Sequence, residues 1–253
     1  MDIIALPAFR DNYIWLLHAG RHAVVVDPGD AGVVEAELAA RGLALRAILI
    51  THHHADHVGG VPALAARHRV PVFGPAGEAI PSVDRPVNDG DTVALDEPAL
   101  RLEVLGVPGH TAGHVAYYAP GLLFCGDTLF AAGCGRLLGG SAAQLYVSLR
   151  RLAALPGDTA VYCSHEYTLA NLRFAAEAEP DNPAIETCRR HCEALRGRGL
   201  PTLPARMDEQ LAVNPFLRTA QPGVVEAVTR HAGRRPADER ECFALLRAWK
   251  DEF

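Results

Sequence analysis

The chain has 253 residues, a formal net charge of −6, 49% hydrophobic and 21% charged residues. That apolar content excludes a mostly disordered protein, and the mild excess of acid gives no electrostatic reason to expect a nucleic acid or an anionic membrane as partner. The length suits one large domain, or one of about 150–170 residues with a smaller appendage. Positive charge is nearly all arginine, since Lys250 is the only lysine. Met1 to Trp15 shows no basic segment leading into an apolar stretch, and no run of about 18 apolar residues could span a bilayer. The six cysteines are spread too thinly to staple a fold. The expectation is a cytoplasmic protein with reduced thiols.

Short apolar runs bounded by Gly, Pro, Asp or Asn predict strands at Trp15–Leu17, Ala23–Val26, Ala47–Ile50, Val70–Phe73, Thr92–Leu95, Leu102–Leu105, Val115–Tyr118, Leu122–Phe124 and Val161–Cys163. Helical patterns lie between them at Val33–Ala40 and Pro62–Arg67. Ser141-Ala-Ala-Gln144 reads as a capping box opening a helix with Leu145, Leu149 and Leu152 on one face. Strands and helices mixed in this way predict an α/β protein. From about Thr168 the strand signals stop. Helices are expected at Thr168–Ala178, Pro183–Gly197, Pro222–His231 and Asp238–Lys250, with Asn182 and Pro183 as cap and first residue of the second. A boundary near residue 167 therefore separates an α/β domain, 1–167, from a small all-α domain, 168–253.

The strongest chemical signal is Thr51-His-His-His-Ala-Asp-His57, directly after the run Ala47–Ile50. Imidazole and carboxylate suit zinc, iron or manganese. In extended chain, side chains two apart share a side, so His52 and His54 can grip one ion while His53 points away. Asp56 and His57 would face elsewhere, which suggests a second ion. Three more metal-competent groups follow predicted strands: His110 after Leu102–Leu105, Asp127 after Leu122–Phe124, and His165 after Val161–Cys163. His53 and His114 are expected to be structural. Cys188 and Cys192 lie on the helical apolar face with Ile185 and Leu195 and are expected to pack in the core. Gly133-Cys-Gly-Arg136 fits neither phosphate-loop pattern.

The motifs Thr-His-His-His-Ala-Asp-His-Val-Gly-Gly, Pro-Gly-His-Thr-Ala-Gly-His, Cys-Gly-Asp-Thr-Leu-Phe, Gly-Cys-Gly-Arg and His-Glu-Tyr-Thr resemble those of the metallo-β-lactamase superfamily. Together with Asn214-Pro-Phe-Leu-Arg218 and Arg247-Ala-Trp-Lys250-Asp251 in the tail, they resemble glyoxalase II (hydroxyacylglutathione hydrolase) essentially from end to end. The resemblance implies an αββα sandwich followed by the all-α domain, and two divalent metal ions, zinc first and iron or manganese as alternatives. It implies His52, His54 and His110 on one ion, Asp56, His57 and His165 on the other, and Asp127 bridging them. Asp27 would orient ligands from behind. Asp56 and Asp127 are the candidate catalytic carboxylates.

The implied activity is hydrolysis of S-(2-hydroxyacyl)glutathione, typified by S-D-lactoylglutathione, by a metal-bridging hydroxide, giving glutathione and D-lactate in methylglyoxal detoxification. Arg136, Tyr167, Arg247 and Lys250 match the family's substrate-binding positions, and Arg247 and Lys250, three apart, share a helix face. The partner is a small glutathione thioester, with no nucleic acid or membrane, and the protein is expected to be a monomer. The sequence departs from the family pattern at Leu138, where an aromatic residue is usual. The alternative reading is a mononuclear-iron persulfide dioxygenase on the same scaffold.

Overall fold

The computed structural model describes residues 1–253, which form two compact units. The first comprises Met1–Gly106 and Ala112–Gly126, the second Val107–Thr111 and Asp127–Phe253.

In the first unit, β1 (Asp2–Ala8), β2 (Asn12–Ala19) and β3 (His22–Val26) are antiparallel neighbours. α1 (Ala31–Arg41) then leads to β4 (Ala44–Leu49), which lies parallel to β3. After the short α2 (Ala55–Val58), α3 (Val61–His68) leads to β5 (Val72–Pro75), and β6 (Arg85–Val87) closes the sheet. The helical crossovers are what permit parallel pairing. α1 starts because the Asp30 carboxylate accepts from Gly32 and Val33 N–H, and it stops at Gly42 in the left-handed conformation. Its buried Val34 and Leu38 join Val61 and Leu64 of α3 against Leu16, Val25 and Ile48. Each such side chain contributes about 1.5–3 kcal/mol by leaving water.

The central strands are apolar on both faces, as the unbroken burial of Val24 to Val26 and Ile48 to Ile50 requires. A meander of β7 (Thr92–Asp96), β8 (Ala99–Gly106), β9 (Val115–Ala119) and β10 (Leu122–Gly126) follows, paired in that order and antiparallel. In β8 Leu100, Leu102 and Val104 are buried while Ala99, Arg101 and Glu103 are exposed, so one face meets the core and the other water. Tyr117 of β9 donates its hydroxyl to the Ile50 carbonyl, 2.8 Å away, joining the meander to the end of β4.

The second unit opens with a hairpin of β11 (Leu129–Phe130) and β12 (Gly133–Cys134). α4 (Ala142–Ala153) carries both bonds of the expected Ser141–Gln144 capping box, and β13 (Ala160–Cys163) follows. α5 (Thr168–Ala178) and α6 (Pro183–Gly197) lead to β14 (Ala205–Arg206), paired with β13. α7 (Met207–Val213), a 3-10 turn at Pro215–Leu217, α8 (Pro222–Ala232) and α9 (Glu239–Glu252) end the chain. Phe216 lies between Phe174 (ring centroids 5.9 Å) and Phe243 (5.8 Å), giving these helices an aromatic core.

Five strands and two helices, the four-residue α2 that carries Asp56 and His57 and the later α7, escaped the sequence pattern. β1 and β6 contain Pro7 and Pro86, which demote a run, yet both are edge strands where proline is tolerated. β11, β12 and β14 are two residues each, and α7 spans only seven, too short for periodicity to register. β14 also means that strand structure does not stop entirely at Thr168.

Near the helical tail's first turn-around, Arg218 grips Glu179 with two hydrogen bonds of 2.7 and 2.8 Å, and the Asn182 amide adds a third of 2.9 Å. Burial alone would raise the Glu179 pKa, but Arg218 and Asn182 outweigh it and hold the carboxyl below its ordinary value. The stabilisation is therefore complete above the unfolded carboxyl pKa of about 4.3 and lost as pH falls through the folded value. Glu179→Gln is expected to lower Tm at pH 7 and to flatten the acid limb of a Tm-against-pH series. A parallel acid limb in the variant would contradict this assignment.

Candidate active site

Within the first unit the donors gather on the loop after β4. Thr51 donates its backbone N–H to Asp27 Oδ1 (2.8 Å) and its hydroxyl to Asp27 Oδ2 (2.7 Å). With its proton spent there, the hydroxyl accepts from His52 Nδ1, 3.1 Å away. That fixes the neutral His52 tautomer, leaving the Nε2 lone pair directed at His54 Nδ1, 3.0 Å distant. His52 and His54 thus converge, as alternation along an extended chain predicts.

His53 turns away: its Nδ1 lies 2.8 Å from Glu78 Oε2, which also accepts the His53 N–H at 2.6 Å. The other Glu78 oxygen accepts from Gly113 N–H at 3.2 Å, so this acid ties the histidine loop to the following one. His114 stacks on His52, with ring centroids 4.6 Å apart and planes 20° from parallel.

His57 is buried, with Nδ1 3.1 Å from Asp27 Oδ2 and Nε2 3.4 Å from Asp56 Oδ2. Asp56 also accepts from the Asn12 amide at 2.8 Å. The loop is packed backbone to backbone: a Cβ on Gly29 would lie 1.9 Å from the Asp56 carbonyl oxygen, so only glycine fits. Asp27 itself has φ 52°, a conformation that Asp tolerates better than most residues. Asn12, Thr51 and Glu78 had not been singled out from sequence. A lone Asn or Glu carries no spacing signal, and only the fold brings Asn12 and Glu78 to the loop; Thr51 opens the motif, but its contact with Asp27 is made only in the folded chain.

In the second unit Asp127 faces two histidines, with Oδ2 3.5 Å from His110 Nε2 and 3.4 Å from His165 Nε2. His110 Nδ1 donates to the Arg136 carbonyl at 2.8 Å, while the His110 carbonyl accepts from Leu138 N–H at 2.8 Å. With Nδ1 donating to the Arg136 carbonyl, the neutral form of the ring would present its Nε2 lone pair to a carboxylate oxygen. The same opposition holds between His57 and Asp56 when His57 carries its proton toward Asp27. Lone pairs aimed at carboxylates repel unless a cation lies between them, and the donors are imidazole and carboxylate throughout. Both features fit divalent metal ions.

His165 is covered by Tyr167, whose ring lies 4.7 Å away and 4° from parallel. The remaining predicted substrate residues also lie in this unit. Lys250 is half-buried, with its ammonium 5.0 Å from the Phe174 ring, and burial followed by the nearby Arg247 and Arg173 lowers its pKa. Arg136 is exposed, with its Nε 3.8 Å from Asp251.

Arg247 is different, being only 3% exposed. It donates to the Cys134 carbonyl (3.1 Å), the Gly135 carbonyl (3.4 Å) and Asp251 (3.0 Å), and its Nε is buried without a hydrogen-bond partner. Much of its fork holds the chain just before Arg136. The exposed Leu138 side chain does not take part in these contacts; its backbone does, through His110.

The helical tail also fixes the β11–β12 turn. Asn171 donates to the Ala131 carbonyl (3.0 Å), Gln210 accepts from Ala132 N–H (2.6 Å), and Asn214 donates to the Gly133 carbonyl (2.9 Å). Ala132 has a left-handed φ of 55°, which these bonds hold in place. Asn214→Ala would leave buried polar groups unpaired and is expected to cost about 2–3 kcal/mol. Urea unfolding should show a lower midpoint with an unchanged slope.

Two family models together cover nearly all of the sequence. The metallo-β-lactamase superfamily matches residues 8–165, and the hydroxyacylglutathione hydrolase C-terminus matches residues 166–253. A hydroxyacylglutathione hydrolase of Alkalilimnicola ehrlichii is 56% identical over 253 residues, covering 99% of both chains. One from Cupriavidus taiwanensis is 54% identical over 265 residues, covering 100% of this chain and 99% of its own. Among solved structures, ETHE1 from Myxococcus xanthus aligns with a TM-score of 0.67 at 26% identity, over 99% of this chain and 98% of that one. The BLEG-1 B3 metallo-β-lactamase, at 24% identity, TM-score 0.64 and coverage of 85% and 99%, shares the fold. The chain belongs to the hydroxyacylglutathione hydrolase family, with a metallo-β-lactamase fold completed by that family's helical C-terminal part.

Proposed function

We propose that the chain hydrolyses S-(2-hydroxyacyl)glutathione thioesters, S-D-lactoylglutathione among them, to glutathione and the 2-hydroxy acid, so removing the adduct formed from methylglyoxal. The observation that carries the reading is full-length similarity to hydroxyacylglutathione hydrolases, reaching through residues 166–253 where Tyr167, Arg247 and Lys250 lie. In this reading the chain acts as a cytoplasmic monomer with no nucleic-acid or membrane partner. All six cysteines are free thiols, in keeping with a reducing compartment, and no helix is long and apolar enough to cross a membrane.

His52, His54 and His110 would hold one divalent ion, Asp56, His57 and His165 a second, and Asp127 both, with zinc as the resident metal. When bound, such ions supply Lewis acidity and lower the pKa of bound water from 15.7 to about 7. The residues behind the donors set their aim. Asp27 and Thr51 orient His57 and His52, the Arg136 carbonyl orients His110, and the Tyr167 ring lies against His165.

Lys250 and Arg136 offer cationic groups for the glutathione carboxylates, and Arg247 positions the strand and loop that lead to Arg136. Residues 168–253 would thus serve as the substrate-binding domain. The leaving thiolate has a parent pKa near 8.5, so it departs as an anion without a dedicated proton donor. That agrees with the absence of a cysteine or serine nucleophile from this scheme.

The test is thiol release from S-D-lactoylglutathione by the metal-loaded chain, run in parallel with oxygen uptake on glutathione persulfide. Rapid thiol release with no oxygen uptake is expected. Oxygen uptake without thioester cleavage would replace the hydrolase reading with the dioxygenase one.

A further inference from the structure

Glu78 lies in the turn after β5, away from the elements that carry the proposed metal donors and substrate residues. Its side chain is only 3% exposed, whereas that of His53 is 46% exposed. The turn is itself held in place: Ala76 donates its N–H to the Val87 carbonyl (2.9 Å), and the Glu78 carbonyl accepts from Ile80 N–H (3.1 Å). A fixed, buried carboxylate thus stands beside the histidine loop without being one of the proposed donors.

Both of its oxygens grip backbone. Oε2 accepts from the His53 N–H (2.6 Å), in the stretch between the candidate donors His52 and His54. The same oxygen accepts from His53 Nδ1 (2.8 Å), which keeps that ring turned away from its neighbours' task. Oε1 accepts from Gly113 N–H (3.2 Å), one residue before His114, whose ring stacks on that of His52. The loops also touch, since a Cβ on Gly113 would lie 2.6 Å from Glu78 Cγ and 2.8 Å from the Gly77 carbonyl carbon, so only glycine fits. On one side of His53, Thr51 steers the His52 ring (3.1 Å). On the other, the His54 carbonyl accepts from His57 (2.9 Å) and Val58 (3.1 Å) N–H as α2 begins. Glu78 secures the link between these two anchored ends.

We propose that Glu78 is a positioning residue for the ion assigned to His52 and His54: its carboxylate sets the separation and direction of the two imidazoles before metal binds. The inference rests on the donor assignment made under the proposed function. Groups that orient ligands from behind are worth about 10–100-fold in metal affinity. The loss on removing Glu78 should fall on this ion, because Asp56 and His57 are held instead by Asn12 and Asp27.

The experiment is zinc titration of the full chain against a competing chelator, with Glu78→Ala, Glu78→Gln and His52→Ala in parallel, and amide hydrogen exchange in the metal-free state. The parent is expected to show two zinc dissociation constants. Glu78→Ala is expected to raise one of them at least about tenfold, the same one that His52→Ala raises, and the other less than about threefold. Glu78→Gln keeps one acceptor oxygen and should fall between parent and Glu78→Ala. The His53 and Gly113 amides should exchange at least about tenfold faster in Glu78→Ala, while the Ile48 amide, bonded to the Pro71 carbonyl in the sheet, keeps its parent rate. That pattern is a local release and not a loss of the fold. Parent-like zinc constants in Glu78→Ala beside a weakened His52→Ala, equal weakening of both constants, or parent-like exchange at His53 and Gly113 would overturn the role of Glu78 alone. Parent-like constants in His52→Ala would overturn the donor assignment and this inference with it.

Discussion

Replacing Asp127 by alanine is expected to lower kcat/KM for S-D-lactoylglutathione by at least about 10³-fold, a loss of about 4 kcal/mol of transition-state stabilisation. Asp127 Oδ2 lies 3.5 Å from His110 Nε2 and 3.4 Å from His165 Nε2. One carboxylate therefore faces two imidazoles, and in the proposed site its removal would take away both a donor and negative charge that offsets the divalent ions. Metal content should fall along with rate, whereas Tm in the presence of chelator should change little. A variant that keeps both metals and its rate would remove Asp127 from the scheme.

Asp27→Ala is expected to lower metal affinity 10–100-fold, the usual range for groups that orient ligands from behind. It should also destabilise the metal-free fold by about 2–4 kcal/mol. The buried Asp27 carboxylate accepts the Thr51 N–H and hydroxyl and lies 3.1 Å from His57 Nδ1. Alanine leaves these groups without their acceptor in a site that water does not readily enter. Because Asp27 is argued to act through His57 and His52, the informative readout is a split: kcat should follow metal occupancy while KM stays near that of the parent. Asp27→Asn keeps an oxygen acceptor and should recover part of the affinity. A fall in KM-linked binding with full metal occupancy would contradict this role.

Much of the architecture was legible in sequence because it rests on local rules. Valine and isoleucine runs marked the central strands, and the Ser141–Gln144 capping box announced α4 with both of its bonds. The candidate donors stood out in sequence because histidine and aspartate follow the predicted strands, and the His52–His54 spacing has a geometric meaning in extended chain that their 3.0 Å approach matches. The supporting residues were not. Asn12, Thr51 and Glu78 act through contacts that only the folded chain creates.

Arg247 was placed among the substrate-binding residues by the family resemblance, and its burial, with donors on the Cys134 and Gly135 carbonyls, is a feature that neither the resemblance nor the helix spacing announced. Periodicity shows which helix face a residue occupies and cannot show which backbone oxygens wait there. Similarly, β1 and β6 were hidden because a proline signals a break, and their edge positions, where it is harmless, emerge only from the sheet order.

The most direct test of the central claim is the rate of thiol release from S-D-lactoylglutathione by the full chain before chelation, after chelation and after zinc is restored. The predicted result is turnover that disappears when the metal is removed and returns when it is replaced. Absence of turnover in protein shown to carry both ions, or a rate indifferent to chelation in protein shown to be metal-free, would contradict the account.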